Sequence, residues 1–128
     1  MSPHAVPPAL FELETEVMQE VWHQGRTNVR AVMEALNDKR EKDRAYTTYM
    51  TIMARLHRKG LLERERERRT DIYWPRLSRE EYQRARAGEE VSTLVEEFGE
   101  VALVHFAKEF DKLDPVRLRK LRRLARGA

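Results

Sequence analysis

The chain has 128 residues, of which 37% are charged and 41% hydrophobic, and this size fits one globular domain or two small units. It contains no cysteine, which excludes a disulfide framework, a thiolate zinc site and a cysteine nucleophile, and is typical of a cytoplasmic protein. No apolar run approaches the roughly 18 residues of a membrane span, so we expect no membrane partner. The net charge is only +3, but residues 39–76 hold twelve Lys or Arg against six acids, and residues 116–128 hold six bases and no acid.

The first part of the chain predicts an arm followed by three helices. Residues 1–9 contain three prolines and are predicted to form a disordered arm. Apolar residues then recur every three or four positions, which predicts a helix over about 11–24. Asn28 is placed to cap a second helix that ends near Asp38. A third helix should end at Gly60, and its predicted apolar stripe is Tyr46, Tyr49, Met50, Met53, Leu56 and His57.

The next segment predicts a β-hairpin, because it has no helical stripe and carries Ile, Tyr and Trp just before a proline. We expect strands at Leu62–Arg66 and Asp71–Trp74, joined by a turn over Glu67–Thr70. Three helices followed by a two-stranded hairpin is the element order of a winged helix-turn-helix domain, in which the hairpin is the wing. The third helix would be the recognition helix.

The remaining residues predict three more helices. Ser78 and Glu81 form a capping box for a fourth helix, in which Gly88 is a candidate interruption. A fifth helix follows, and Asp114 with Pro115 supplies the cap and first-turn proline of a sixth.

Apolar stripes on all three of these helices predict a homodimer. A segment this short buries too little surface to be stable by itself, so we expect it to pack against a second copy. The expected dimerisation residues are Val91, Leu94, Val95, Phe98, Leu103, Phe106, Phe110, Leu118, Leu121 and Leu124. The predicted fold is mainly α with a small β-hairpin wing, divided into a disordered arm (1–9), a winged-helix DNA-binding domain (10–77) and a helical dimerisation domain (78–128).

One flank of the third helix is suited to reading bases. At 100° per residue Thr47, Thr48, Thr51 and Arg55 share that flank. Short hydroxyl side chains can approach base edges closely and lay a methyl group against the thymine methyl, while arginine reaches phosphate or guanine. The alternative is that Thr47 is only a helix cap and the other three residues form an ordinary solvent-exposed face.

Basic residues around this helix predict contacts with the DNA backbone. Such contacts would position the protein on double-stranded DNA without reading sequence. The candidates are Arg44, Arg58, Lys59, Arg66, Arg68 and Arg69. The alternative is a ladder of exposed Arg–Glu pairs, each worth well under about 1 kcal/mol. The methionines Met18, Met33, Met50 and Met53 are interpreted as core packing.

Signals of catalysis are absent from the sequence. There is no glycine-rich phosphate loop and no nucleophile elbow, and the four histidines are far apart without metal-ligand spacing. We therefore expect no catalytic residue, no metal and no cofactor. Two alternatives to DNA binding are a winged-helix protein-interaction module and a regulator that senses a small ligand between its C-terminal helices.

Several segments together resemble the penicillinase-repressor family, the BlaI/MecI/CopY group. They are ELETEVMQEVW, VRAVMEAL, AYTTYMTIMARLHRKGLLERE and WPRLSREEY, and the likeness extends from Leu10 to Leu124. The resemblance implies a homodimeric repressor that binds a palindromic operator. It also implies that Thr47, Thr48 and Thr51 meet bases or adjoining phosphates, that Arg55 contacts the backbone or a base, and that Arg69 is the basic wing residue.

The resemblance further implies how such a repressor is released, and here the sequence departs from the family pattern. In one branch a regulatory protease system cuts the C-terminal helices before a phenylalanine, which corresponds to the bond between His105 and Phe106. The staphylococcal-type cut follows asparagine, whereas this chain has histidine. The Cys-x-Cys copper ligands of another branch are missing, and Arg68 replaces the usual glycine of the wing turn.

Overall fold

The computed structural model describes residues 6–127 and confirms the predicted class, mainly α with a small wing. The elements are α1 (Glu12–Gln24), α2 (Val29–Asn37), α3 (Tyr46–Arg58), β1 (Leu62–Glu67), β2 (Thr70–Pro75), α4 (Arg79–Phe98), α5 (Glu100–Asp111) and α6 (Pro115–Gly127). Gly88 does not interrupt α4, which runs unbroken for 20 residues. Within the described residues no helix is both long and apolar enough to cross a membrane.

Local capping explains why the helices begin where the sequence predicts. The Asn28 side chain accepts a hydrogen bond from the Ala31 amide at 2.9 Å, which satisfies one of the free N–H groups at the start of α2. At the start of α4 the Ser78 hydroxyl and the Glu81 carboxylate each accept from the other's backbone amide, at 3.1 and 2.9 Å. Asp114 accepts from the Arg117 amide at 2.8 Å and caps α6.

The chain divides into two compact units between residues 87 and 88. In the first unit α1, α2, α3 and the wing surround one hydrophobic core. Its fully buried side chains include Val17, Met18, Val21, Val32, Tyr49, Met53, Leu56 and Tyr73. The wing is joined to the turn before α2 by two backbone hydrogen bonds between Thr27 and Tyr73, at 2.7 and 2.8 Å. The wing is therefore fixed beside the three helices.

An asparagine at the end of α2 fixes the turn that leads into α3. The Asn37 amide group donates to the Arg44 carbonyl at 3.0 Å and accepts from the Arg44 amide at 3.1 Å. The same Asn37 oxygen accepts from the Tyr49 hydroxyl at 2.8 Å, and the Tyr49 side chain is fully buried. Asn37 thus joins the two ends of the loop between α2 and α3 and binds the buried Tyr49 of α3. These bonds therefore fix the orientation of α3 relative to α2.

The start of α4 and residues 7–8 also belong to the first unit. The Tyr82 ring packs on Trp22 with centroids 5.3 Å apart, and the Trp22 indole donates to the Leu77 carbonyl at 2.9 Å. The carbonyls of Pro7 and Pro8 accept hydrogen bonds from α4 at 3.2 and 3.4 Å, and Pro7 is buried. These contacts attach part of the predicted arm to the domain, while residues 1–5 lie outside the described residues.

The second unit has almost no core of its own. In the described range 88–127 only Ala102 is buried, at 8% exposure. All ten predicted dimerisation residues are exposed or half-buried in the single chain. A groove of about 410 Å³ between α5 and α6 is lined by Phe110, Leu118 and Leu121 together with Ala107, Asp111, Arg122 and Ala125.

Candidate nucleic-acid interface

The outward face of α3 carries the predicted hydroxyl side chains. Tyr49, Ile52, Met53 and Leu56 anchor the opposite face of this helix in the core. Thr47 and Thr51 are exposed, and Thr48 and Arg55 are half-buried at the edge of the same face. Ala45, not Thr47, occupies the N-cap position, so the interpretation of Thr47 as only a cap is wrong.

Two residues predicted on the apolar stripe of α3 are exposed instead. Tyr46 is 42% exposed and Met50 is 45% exposed, so the interpretation of Met50 as core packing is wrong. Tyr46 and Met50 are exposed because α3 buries Ile52, a residue that the predicted stripe does not include. Ile52 lies two residues, about 200°, beyond Met50 around the helix, so the centre of the buried face turns away from Met50.

The wing turn is tighter than predicted. Only Arg68 and Arg69 connect the two strands, because β1 and β2 each extend one residue further into the predicted turn over Glu67–Thr70 than expected. Arg68 has φ 59°, a left-handed conformation that favours glycine and costs other residues roughly 1–2 kcal/mol. Both arginines of the turn are exposed.

An ion-pair ladder does form on the wing, and it uses arginines from outside the turn. Arg26 pairs with Glu65 at 3.3 Å and with Glu67 at 3.6 Å, and its guanidinium stacks on Trp74 at 4.5 Å. Arg76 pairs with Glu63 at 3.8 Å, and Arg66 with Asp71 at 3.4 Å. Within residues 6–127, neither Arg68 nor Arg69 is paired with an acid, so both keep their charge available at the tip.

Three of the six predicted phosphate-contacting cations form ion pairs: Arg66 on the wing, and Arg44 and Lys59 in pairs that hold the domain together. Arg44 binds Glu16 at 3.1 Å across the first unit. Lys59 binds Glu14 at 2.8 Å, and the Glu14 side chain is only 1% exposed. Burial pushes the pKa of Glu14 up, but hydrogen bonds from Lys59 and the Phe11 amide outweigh this effect and hold the pKa below its usual value. Lys59 therefore already has a structural partner.

A groove of about 470 Å³ separates α3 from the wing, and its lining residues come from α2 and its N-cap, from α3, and from both strands and the turn of the wing. Two of the predicted site residues, Arg66 and Arg69, line this groove. The other lining residues are Asn28, Val29, Arg30, Tyr46, Met50, Thr70, Asp71 and Tyr73. Arg30, Tyr46 and Met50 were not predicted as site residues. Including Ile52 in the core stripe of α3 would have indicated the exposure of Tyr46 and Met50.

The predicted cleavage bond lies in the middle of a helix. His105 and Phe106 are in α5, and His105 is exposed while Phe106 is half-buried. Both line an apolar groove of about 320 Å³ with Leu94, Phe98, Val101 and Ala102. Across residues 6–127 there is no group of three or more metal-ligating side chains.

The sequence matches the penicillinase repressor family over residues 10–126. It is 38% identical over 115 residues to the transcriptional regulator BlaI of Mycobacterium tuberculosis, in strains CDC 1551 / Oshkosh and ATCC 25618 / H37Rv, and each alignment covers 84% of this chain and 80% of the regulator. The fold is similar to the solution structure of the DNA-binding domain of the repressor BlaI, with a TM-score of 0.51 and 27% identity over 61% of this chain and 92% of that domain. The chain therefore belongs to the penicillinase repressor family, whose members are transcriptional repressors rather than enzymes.

Proposed function

We propose that this repressor binds a palindromic operator in double-stranded DNA as a homodimer and is released when a signal acts on its C-terminal helices. The observation that carries the proposal is that α3 presents exposed hydroxyl side chains beside a wing whose tip holds two arginines that pair with no acid in the described range 6–127. The proposal assigns DNA binding to residues 10–77 and dimerisation to residues 78–128. A winged helix with a polar recognition helix docks that helix in the major groove.

Base contacts are assigned to the outward face of α3. Thr47 and Thr51 are exposed and one helical turn apart, so both can meet base edges at once. Thr48 and Arg55 flank them at half-buried positions, where contacts to the edge of the groove or to adjoining phosphates fit better.

Phosphate contacts are assigned mainly to the exposed cations. Arg58 on α3, Arg66 on β1 and the turn residues Arg68 and Arg69 are all exposed. Arg44 and Lys59 contribute less, because each is half-buried and would first have to leave an acidic partner. Arg66 also pairs with Asp71, but its side chain is 65% exposed, so leaving that pair costs little. The cations position the recognition helix, and the hydroxyl groups supply the sequence preference.

Dimerisation through the second unit is supported by its exposed apolar side chains. Leu94, Phe98, Leu103, Phe110 and Leu124 are between 39% and 57% exposed in the single chain. Exposing so many large apolar side chains in one short segment is typical of a surface that is buried in an assembly. A second copy would cover it and would place two recognition helices on one duplex.

Release by a regulatory protease at His105–Phe106 would require local unfolding. A protease binds its substrate in an extended conformation, whereas this bond lies within α5. Cutting there would separate α6 from the rest of the dimerisation surface. The two operator half-sites would then no longer be held by one linked molecule, and affinity would fall.

The base-reading assignment predicts a loss of sequence preference in Thr51→Val. This change keeps the shape of the side chain but removes the hydroxyl group, and we expect it to cost about 1 kcal/mol per half-site on the preferred operator. Binding to random duplex should change much less. Fluorescence anisotropy with a duplex selected from a random palindromic pool, and with an unrelated duplex, measures both. Thr93→Val, at an exposed threonine of α4, is the control. An equal loss on both duplexes would contradict the assignment.

The phosphate-contact assignment predicts a different outcome for Arg68→Gly. Glycine adopts φ 59° without strain, so the turn should survive while one charge per protomer is removed. Binding to all duplexes should weaken by the same factor, and the slope of log K against log salt should fall by about two per dimer. Arg68→Lys, which keeps the charge, should retain the original slope. A loss confined to the preferred duplex would mean that Arg68 reads bases instead.

A further inference from the structure

The recognition helix carries an apolar row beside its hydroxyl row. Tyr46 and Met50 are four residues apart and therefore neighbours on one face of α3, as are Thr47 and Thr51 on the adjacent row. In the described part of the first unit, residues 6–87, the exposed large hydrophobic side chains are Val6, Phe11, Tyr46 and Met50. Two of these four thus lie together on the helix assigned to the DNA.

Neighbouring side chains place Tyr46 and Met50 along the groove between α3 and the wing. The Arg30 guanidinium lies 5.8 Å from the centroid of the Tyr46 ring, a cation–π contact between α2 and α3. Tyr46 and Met50 form one wall of the groove, and Arg66, Arg69 and Thr70 of the wing contribute to its lining. A duplex contacted by Thr47 and Thr51 would therefore also meet Met50.

Only one group on the base edges of the major groove is apolar, and it is the 5-methyl group of thymine. The other groups are hydrogen-bond donors and acceptors, with which a thioether makes only weak bonds. Methionine is unbranched and polarizable, so its side chain can follow a methyl group that a rigid side chain would miss. The apolar row and the thymine methyl therefore match chemically.

We propose that Met50, supported by Tyr46, reads the 5-methyl group of one thymine in each operator half-site, next to the base read by Thr51. This inference rests on the proposed function and names a specificity determinant within it. Tyr46 is a positioning residue in this arrangement: its ring limits where the Met50 side chain can go, and Arg30 holds the ring. The thymine preference would come from burying two apolar groups against each other.

Replacing thymine by deoxyuridine tests the inference, because the exchange removes only the methyl group. Full-length protein first selects its preferred duplex from a random palindromic pool. Each thymine of one half-site, with its symmetry mate, is then replaced by deoxyuridine, and Kd is measured by anisotropy. One position should cost about fourfold per half-site, and so about 15-fold for the symmetric pair, with wild-type protein. The same exchange should cost Met50→Ala less than twofold, and Met50→Leu should recover most of the penalty.

Thr51→Ser separates the two candidate readers, since it removes the threonine methyl group and keeps the hydroxyl. We expect the deoxyuridine penalty to persist in this variant, whatever its overall affinity. A penalty that disappears in Thr51→Ser and persists in Met50→Ala would assign the methyl contact to Thr51 and overturn the inference. Selective binding with no deoxyuridine effect at any position would also overturn it, while leaving the proposed function intact. Binding that is equal on all duplexes would overturn both.

Discussion

Phe98→Asp is expected to produce a folded monomer that has lost tight operator binding. Phe98 is 52% exposed in the single chain, so aspartate costs the isolated protomer little. In a dimer the same position would be covered, and a buried unpaired carboxylate there costs several kcal/mol. Because the proposed dimer would link two weak half-site interactions, its loss should reduce operator affinity on the order of 10²- to 10⁴-fold. Sedimentation equilibrium and fluorescence anisotropy measure the two effects.

Thr93→Asp is the matched control on the same helix. Thr93 is exposed and lies about 140° around α4 from Phe98, on the side opposite the apolar stripe. The same charge at this position should leave both the dimer and the operator affinity unchanged. Circular dichroism verifies that both variants retain their helices. A Phe98→Asp protein that remains dimeric with wild-type affinity would refute the assignment of this surface to the dimer.

The order of the elements and the starts of α2, α4 and α6 could be predicted from the sequence because their signals are local. Asn28, the Ser78–Glu81 pair and Asp114 act on amides within three residues, and the structure contains each of these caps. The hydrophobic period of α1 is also a local signal, and it predicts the helix correctly because α1 buries one side only. Local chemistry of this kind depends little on the rest of the fold.

The composition of the interface could be predicted only in part, because it depends on how α3 is rotated against the core. The threonine row was identified, whereas Tyr46 and Met50 were assigned to the wrong side. The direction of the buried face is predicted correctly only when all buried residues of the helix are recognised. Because Ile52 is missing from the predicted stripe, the predicted buried face of α3 points too far toward Tyr46 and Met50.

Long-range ion pairs could not be predicted at all. Lys59 and Glu14 are 45 residues apart in sequence, and their contact exists only once the end of α3 packs beside the start of α1. The sequence suggests Lys59 as a phosphate contact because it is a basic residue next to the third helix. Whether a lysine such as Lys59 faces solvent or pairs with a buried acid depends on tertiary packing.

Lys59→Met should therefore destabilise the first unit far more than replacement of a solvent-exposed lysine does. The Lys59 ammonium lies 2.8 Å from a Glu14 oxygen, and the other Glu14 oxygen has no hydrogen-bond partner among the described residues. Removing the ammonium leaves a buried carboxylate with only the Phe11 amide, at 2.9 Å, as a donor. Breaking a buried pair in this way costs about 3 kcal/mol in free energy of unfolding. Urea denaturation at pH 7 measures the loss.

Lys39→Met provides the comparison, because Lys39 also pairs with a buried acid, Glu20, but its side chain is 71% exposed and its ammonium lies 3.6 Å from the carboxylate. We expect that change to cost less than about 1 kcal/mol. The double variant Glu14→Gln/Lys59→Met should recover much of the loss, since it removes the uncompensated charge. If Lys59→Met and Lys39→Met cost the same, burial of Glu14 does not control the energetics of the pair.

The loss in Lys59→Met should also depend on pH in a direction fixed by the pKa of Glu14. In the folded wild-type protein this pKa is lower than usual, so folding favours the ionised form. The stabilisation is complete above the unfolded-state pKa, about 4.3 for glutamate, and disappears as pH falls through the folded pKa. The variant lacks this stabilisation at every pH.

The difference in unfolding free energy between wild type and Lys59→Met should therefore be largest at neutral pH and shrink as the pH falls, because protonation removes the uncompensated charge of Glu14 in the variant. The corresponding difference between wild type and Glu14→Gln/Lys59→Met should be smaller at neutral pH. A difference that grows on acidification would show that Lys59 stabilises the fold through a partner other than the Glu14 carboxylate.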